Sequence, residues 1–212
     1  VDLIATGPGN NDWVHGIGTD TLGKDGDLTV QHDAVSGGKG DDFVGIVGTN
    51  FTSINGGGGS NTLVFEDSYM TLNLTEMGLR VRNFGTFDLS NQLSQNSLDN
   101  TDPRYSFNHF TVNNTLQLSL SDVLSENGAP SVASTYSNMK ILGDSRSTVE
   151  LNGTTDTSSL AAAGWSTTGP EKTLEISNGY TTVPVTFNVW HNSAMGASTL
   201  ADLLIENGVN VI

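Results

Sequence analysis

The residues of this chain best placed to do chemistry are oxygen donors spaced by glycines. Gly37-Gly38-Lys39-Gly40-Asp41-Asp42-Phe43-Val44-Gly45 fits the calcium nonapeptide G-G-x-G-x-D-x-U-x at every specified position. Gly56-Gly57-Gly58-Gly59-Ser60-Asn61-Thr62-Leu63-Val64 fits it again with Asn61 in place of the Asp. Upstream, Gly16-Ile17-Gly18-Thr19-Asp20-Thr21-Leu22 keeps the G-x-G-x-D-x-U core, and Gly7-Pro8-Gly9-Asn10-Asn11-Asp12-Trp13-Val14 keeps it with one inserted residue. The spacing has a physical reason. Glycines reach left-handed backbone angles closed to bulkier residues, so the turn can aim carbonyls and the sixth-position side chain at one point. Calcium takes six to eight oxygens, and a single turn supplies only part of that shell. A second turn must stack on the first, and the start points Gly37 and Gly56 lie 19 residues apart. The candidate ligands are Asp12, Asp20, Gly38, Gly40, Asp41, Asp42, Gly57, Gly59 and Asn61, and the expected ion is Ca2+. The competing reading is a glycine turn region without metal. Gly56 to Ser60 also matches a laboratory linker, but its flanks, Ile54-Asn55 and Thr62-Leu63-Val64, sit in repeat register, which favours a natural segment.

The charge balance agrees with an oxygen-bound cation. Eight Lys and Arg stand against 23 Asp and Glu, for a net charge of −15. So acidic a surface is a poor partner for nucleic acid or anionic lipid, because phosphate binding needs basic side chains. The plain alternative is that the acids serve solubility. Cysteine is absent, which removes disulfides, thiolate zinc sites and thiol catalysis. No window of about 18 apolar residues exists, so no helical membrane span is expected. The chain opens Val1-Asp2-Leu3-Ile4, without an initiator Met or a basic region followed by an apolar run, as expected for a piece of something longer with no signal peptide of its own.

Elements must position these donors. Period-two alternation recurs at Thr71 to Leu74, Thr115 to Leu120, Thr148 to Leu151, Thr173 to Ile176 and Val183 to Val189. Asn127-Gly128, Asn152-Gly153, Asn178-Gly179 and Asn207-Gly208 punctuate them as turns that tolerate positive φ. Helical pattern is limited to a turn or two at Ser119 to Leu124, Ser158 to Ala163 and Ser198 to Ile205. The expected fold is all-β: a short calcium-binding, β-roll-like glycine-rich segment over residues 1–67, and a β-sandwich-like body over 68–212, with one continuous domain as the alternative division.

Catalysis finds little support. Met139-Lys140-Ile141-Leu142-Gly143-Asp144-Ser145 superficially resembles the nucleophile block of GDSL hydrolases. The base motif would fall on Asn188-Val189-Trp190-His191, which lacks the Asp that orients the histidine. No G-x-S-x-G or H-E-x-x-H occurs, and His15, His32, His109 and His191 are scattered. No catalytic residue is assigned. Trp13, Trp165 and Trp190 suit core or edge packing better than stacking on sugars.

The glycine repeats, followed by Leu63-Val64-Phe65-Glu66-Asp67, Thr71-Leu72-Asn73-Leu74 and Val81-Arg82-Asn83-Phe84-Gly85-Thr86-Phe87-Asp88-Leu89, resemble the repeats-in-toxin (RTX) adhesins of Gram-negative bacteria. Leu116 to Leu124, Met139 to Asp144, Val149-Glu150-Leu151, Gly164-Trp165 and a terminal Ile205 to Val211 strand agree more loosely, in the same order. The resemblance implies a calcium-stabilised, non-enzymatic module near the C-terminal, ligand-carrying end of a large adhesin. It implies type I secretion to the bacterial surface, and a role in cell adhesion and biofilm formation by presenting or spacing ligand-binding domains. Such a module can be the split scaffold that hosts an inserted domain. Its partners would be neighbouring domains of the same adhesin, and the module itself is expected to be a monomer. A calcium-dependent sugar- or peptide-binding module is the alternative, and a secreted hydrolase a remote one. The glycine block is shorter and less regular than a full β-roll, and residues 91–108 match nothing in the family pattern.

Overall fold

The computed structural model describes residues 3–5, 13–17, 21–22, 28–29, 33–90, 113–126, 138–153, 156–177, 182–195 and 202–212. Strands β1 (Leu3–Ala5) and β2 (Trp13–Ile17) come first, followed by the small antiparallel pair β3 (Thr21–Leu22) and β4 (Leu28–Thr29). Next come β5 (Asp33–Ser36), β6 (Phe43–Ile46), β7 (Phe51–Asn55), β8 (Thr62–Phe65) and β9 (Thr71–Asn73). A short helix α1 (Leu74–Met77) and a 3-10 turn (Gly78–Arg80) lead into β10 (Val81–Arg82) and β11 (Thr86–Asp88). Then follow β12 (Thr115–Leu118), α2 (Leu120–Glu126), β13 (Lys140–Leu142), β14 (Thr148–Leu151) and α3 (Thr157–Ala162). The chain finishes with β15 (Trp165–Thr167), β16 (Lys172–Ser177), β17 (Thr182–Asn192), β18 (Leu203–Glu206) and β19 (Asn210–Val211).

The β-rich fold expected from alternation is present, but the body is not plainly a sandwich. Its sheets are largely parallel, and short helices join them. Three faces recur as the chain winds. The first sheet runs β1-β5-β7-β10, and the third runs β9-β12-β14-β19, each with every neighbour parallel. The second sheet has nine strands, with β2, β6, β8, β11, β13 and β18 parallel in that order. Beyond β18 the antiparallel strand β17 joins, and β15 and β16 pair with it. The Asn-Gly signals explain the discrepancy. Asn152 and Gly153 do take positive φ (57° and 70°), and Gly208 does too (101°). Yet Asn207-Gly208 carries the chain from β18 on one face to β19 on another, rather than folding a hairpin back on itself. Asn127-Gly128 and Asn178-Gly179 lie outside the described residues, although β16 and β17 on either side of the latter pair as a hairpin.

The parallel register stacks like residues at one coil spacing. In the second sheet Val44, Leu63, Phe87, Ile141 and Ile205 form one inward row, all buried. Val35, Ile54 and Val81 line the first sheet in the same way, and Leu72, Leu116 and Val149 the third. Each such side chain stabilises the coil by roughly 1.5–3 kcal/mol on burial. In the third sheet β12 and β14 show strict inward–outward alternation, so their solvent face is polar. In the second sheet β6 and β8 are buried on both faces, and a separate cluster of Phe43, Leu142, Leu204, Phe187 and Val189 lies outside the main core. β8, before Asp67, and β11, after it, are neighbours in one sheet.

Candidate metal centre at the glycine corners

Among the described residues, the chain turns a sharp corner between the first and second sheets at 37–42, at 56–61 and at 83–85. The parallel strands on either side hold these corners one above another. Gly37 donates its N–H to the Asn55 carbonyl (2.7 Å), and Gly56 donates to that of Arg82 (3.0 Å). Across the turns, Gly58 N–H donates to the Gly38 carbonyl at 2.9 Å.

The glycines are needed chiefly for contact. A Cβ at Gly37 would stand 2.1 Å from the Gly56 carbonyl oxygen, and one at Gly59 would stand 2.3 Å from that of Gly40. The left-handed backbone expected of both turns falls only in the upper one, at Gly57 (φ 83°) and Gly59 (φ 98°). Gly38 and Gly40 are not in that region among the described residues; their carbonyls lie against the turn above.

Side chains complete the stack. Asp42 and Asn61, each 1% exposed, occupy the same position 19 residues apart. The Asp42 carboxylate accepts from Gly38 N–H at 3.0 Å, and its own backbone N–H donates to Asn61 Oδ1 at 2.9 Å. Asn61 Nδ2 then donates to the carbonyl of Asn83 at 3.0 Å. Asn61 therefore bridges all three corners through one amide. That explains why Asn stands where the repeat has Asp: a carboxylate cannot donate to Asn83. Asp41, exposed, accepts from Ser60 N–H at 2.7 Å.

Of the residues singled out in the sequence, Gly38, Gly40, Asp41, Asp42, Gly57, Gly59 and Asn61 thus meet in one two-turn stack. Asp12 and Asp20 lie outside the described residues. Asn55 and Asn83, which the repeat pattern does not single out, form a second amide rung: Asn83 Nδ2 donates to Asn55 Oδ1 at 2.6 Å, and Gly57 N–H donates to the same oxygen at 3.0 Å. Asn55 directly precedes the glycine run of the second corner, and Asn83 takes positive φ (64°) at the third, so an Asn at each of these two corners was the available signal.

The donor chemistry fits a calcium ion. The two turns carry two carboxylates (Asp41 exposed, Asp42 buried), the carbonyls of Gly38 and Gly40 and the Asn61 amide oxygen, with no sulfur or imidazole among them; such hard oxygens are what calcium prefers. The fit relies on backbone oxygen, since no group of three or more His, Cys, Asp or Glu occurs among the described residues. Several of these oxygens also accept hydrogen bonds, so an ion there would share them with the N–H groups of the turns.

Elsewhere, Ser145 sits exposed in the corner between β13 and β14, where its carbonyl accepts from Asn210 Nδ2 at 2.8 Å. His191 Nδ1 lies 2.7 Å from Asp202, which antiparallel pairing of β17 and β18 brings opposite it. That partner sits eleven residues downstream, outside any local motif. Trp165 is buried in the main core and Trp190 packs against it. His32, His109 and residues 91–108 lie outside the described residues.

Comparison with known proteins finds no matching family model, and no curated protein or solved structure matches the chain.

Proposed function

We propose that this chain is a calcium-stabilised, non-catalytic structural module of a secreted bacterial surface adhesin, spacing or presenting the ligand-binding domains that neighbour it. The observation that carries this reading is the two-turn stack, where Asp42 accepts from Gly38 N–H, Asn61 from Asp42 N–H and Asp41 from Ser60 N–H, and where the carbonyls of Gly38 and Gly40 press against Gly57 and Gly59. The secretion route, the surface location and the adhesive role rest on the resemblance of the glycine repeats and of Val81 to Leu89 to RTX adhesins. The net charge of −15 and the absence of cysteine suit a chain whose cross-links are ions rather than disulfides.

The stabilising mechanism is mass action. Extracellular modules of this kind bind calcium with Kd of about 10⁻⁴ M or weaker. At about a hundredfold excess of ion over Kd, each site stabilises the folded state by roughly 2.7 kcal/mol. Where free calcium is scarce the same site contributes almost nothing, so the chain stays loose until it is exported. Thermal melts in calcium, magnesium and chelator test this. The reading expects a rise of several degrees in Tm with calcium, reversed by chelator and much smaller with magnesium. Superimposable melts would remove it.

A further inference from the structure

The solvent face of the third sheet carries a cleft of about 560 Å3 that has no part in the glycine corners. Its floor is a row across three strands: Asn73 on β9, Gln117 on β12 and Glu150 on β14 lie side by side in register. Strands stand about 4.8 Å apart, so the row spans about 10 Å. Thr75, Ser119 and Asn152 form the walls.

These polar groups are held before any ligand arrives. Gln117 Nε2 donates to Glu150 Oε2 at 2.6 Å, which fixes both side chains and leaves Gln117 Oε1 and Glu150 Oε1 as acceptors. Asn73 Oδ1 accepts from Glu76 N–H at 3.1 Å as the cap of α1, and Asn152 Oδ1 accepts from Leu120 N–H at 3.1 Å. Both amides therefore keep their N–H2 groups for the cleft. The walls are tied together as well, because Thr75 Oγ1 and the Ser119 N–H both donate to Asp122, at 2.6 and 2.7 Å.

Donors and acceptors thus alternate at strand spacing around a single carboxylate. We propose that this cleft binds a neutral saccharide, one or two sugar rings long, through its hydroxyl groups. A hydroxyl both donates and accepts, so vicinal hydroxyls complement alternating amide and carboxylate groups. Anions are disfavoured, since among the described residues no Lys or Arg lines the cleft and Glu150 does. An extended peptide would need an unpaired strand edge. Here the backbone of β12 is paired on both sides, by β9 and β14, and the side of β9 that no described strand pairs points along the sheet, away from β12, so the cleft over the sheet face offers side chains only. Among the described lining residues Leu118 is the one large apolar side chain, and it is buried, so an apolar ligand finds no apolar side chain to pack on there. The inference goes beyond the scaffold reading, and none of its residues belongs to the glycine corners.

The test is an NMR titration of side-chain amides in calcium-containing buffer. The probes are neutral oligosaccharides of glucose, galactose and mannose, with sialylated oligosaccharides as the anionic arm. Saturable shifts of the Asn73, Gln117 and Asn152 amides with a neutral sugar, and weaker ones with the sialylated set, are expected. The double variant Gln117→Glu with Glu150→Gln keeps the pair but reverses its polarity, and should lose about tenfold or more in affinity. No shift with any neutral sugar, shifts driven equally by the sialylated set, or unchanged affinity in a double variant that melts like the parent would each overturn the proposal.

Discussion

Two corners of this molecule solve the same geometric problem in different ways. The corner at 143–147 is closed by side chains. Asp144 pairs with Arg146, whose Nε lies 3.0 Å from the carboxylate; Asp144 N–H reaches Ser147 Oγ at 3.3 Å, and Gly143 N–H donates to Glu206 at 2.9 Å. At the corners 37–42 and 56–61 carbonyls of one turn press against glycines of the next, and the Asp41, Asp42 and Asn61 side chains bond to backbone groups of the turns. The first device brings its own cation for its carboxylate. The second concentrates oxygens, and Asp42 takes a backbone N–H from Gly38. On the proposed reading, the difference marks where an external cation would act: at the glycine stack and not at residues 143–147.

The largest expected effect comes from breaking the close approach. Gly37→Ala forces a Cβ against the Gly56 carbonyl and should cost about 3 kcal/mol in denaturant unfolding. Gly153→Ala has open space and a positive φ only, so it should cost about 1 kcal/mol. Equal losses would show that backbone angle, not contact, is what the glycines supply.

Next in size is the ion itself. Asp42→Asn should abolish most of the calcium-dependent gain in Tm, while Asp144→Asn should leave that gain intact and lower the melt equally in calcium and in chelator. A calcium response that survives Asp42→Asn but falls with Asp144→Asn would reverse the comparison. Asn61→Asp sharpens it further. Loss of the amide donor to Asn83 should cost about 2 kcal/mol in chelator, and calcium should recover part of it, because a second carboxylate then faces the ion.

The smallest effect is acid sensitivity at the side-chain corner. Burial works to raise the Asp144 pKa, but the hydrogen bond and charge of Arg146 outweigh it and hold the carboxyl below its usual value. A depressed carboxyl contributes stability above its unfolded pKa and loses it as pH falls through the folded one. The parent should therefore lose this increment only as pH drops below the ordinary Asp range. Arg146→Ala should flatten that part of the pH–stability curve, and an identical curve in both proteins would contradict the assignment.

The sequence disclosed the glycine stack because the structure can tolerate nothing but glycine there: a Cβ at Gly37, Gly57 or Gly59 meets backbone within 2.3 Å. It disclosed the inward rows because alternation at Thr115 to Leu118 and Thr148 to Leu151 reports a one-faced strand directly. It did not disclose the partner of each strand. β12 and β14 look the same whether they pair parallel or antiparallel, and Asn-Gly marks a change of direction without saying onto which face. Asn61 reads from the sequence as a ligand in place of the Asp, yet its amide is what joins the second corner to the third. The His191 and Asp202 contact escaped because it depends on the β17–β18 register and not on local spacing.

The central claim is most directly tested by calorimetric titration of calcium into the metal-stripped chain and into its Asp42→Asn variant. Saturable calcium uptake by the parent, lost or weakened by at least tenfold in the variant, is the predicted result. Absence of calcium binding in the parent, or the same isotherm for both proteins, would contradict it.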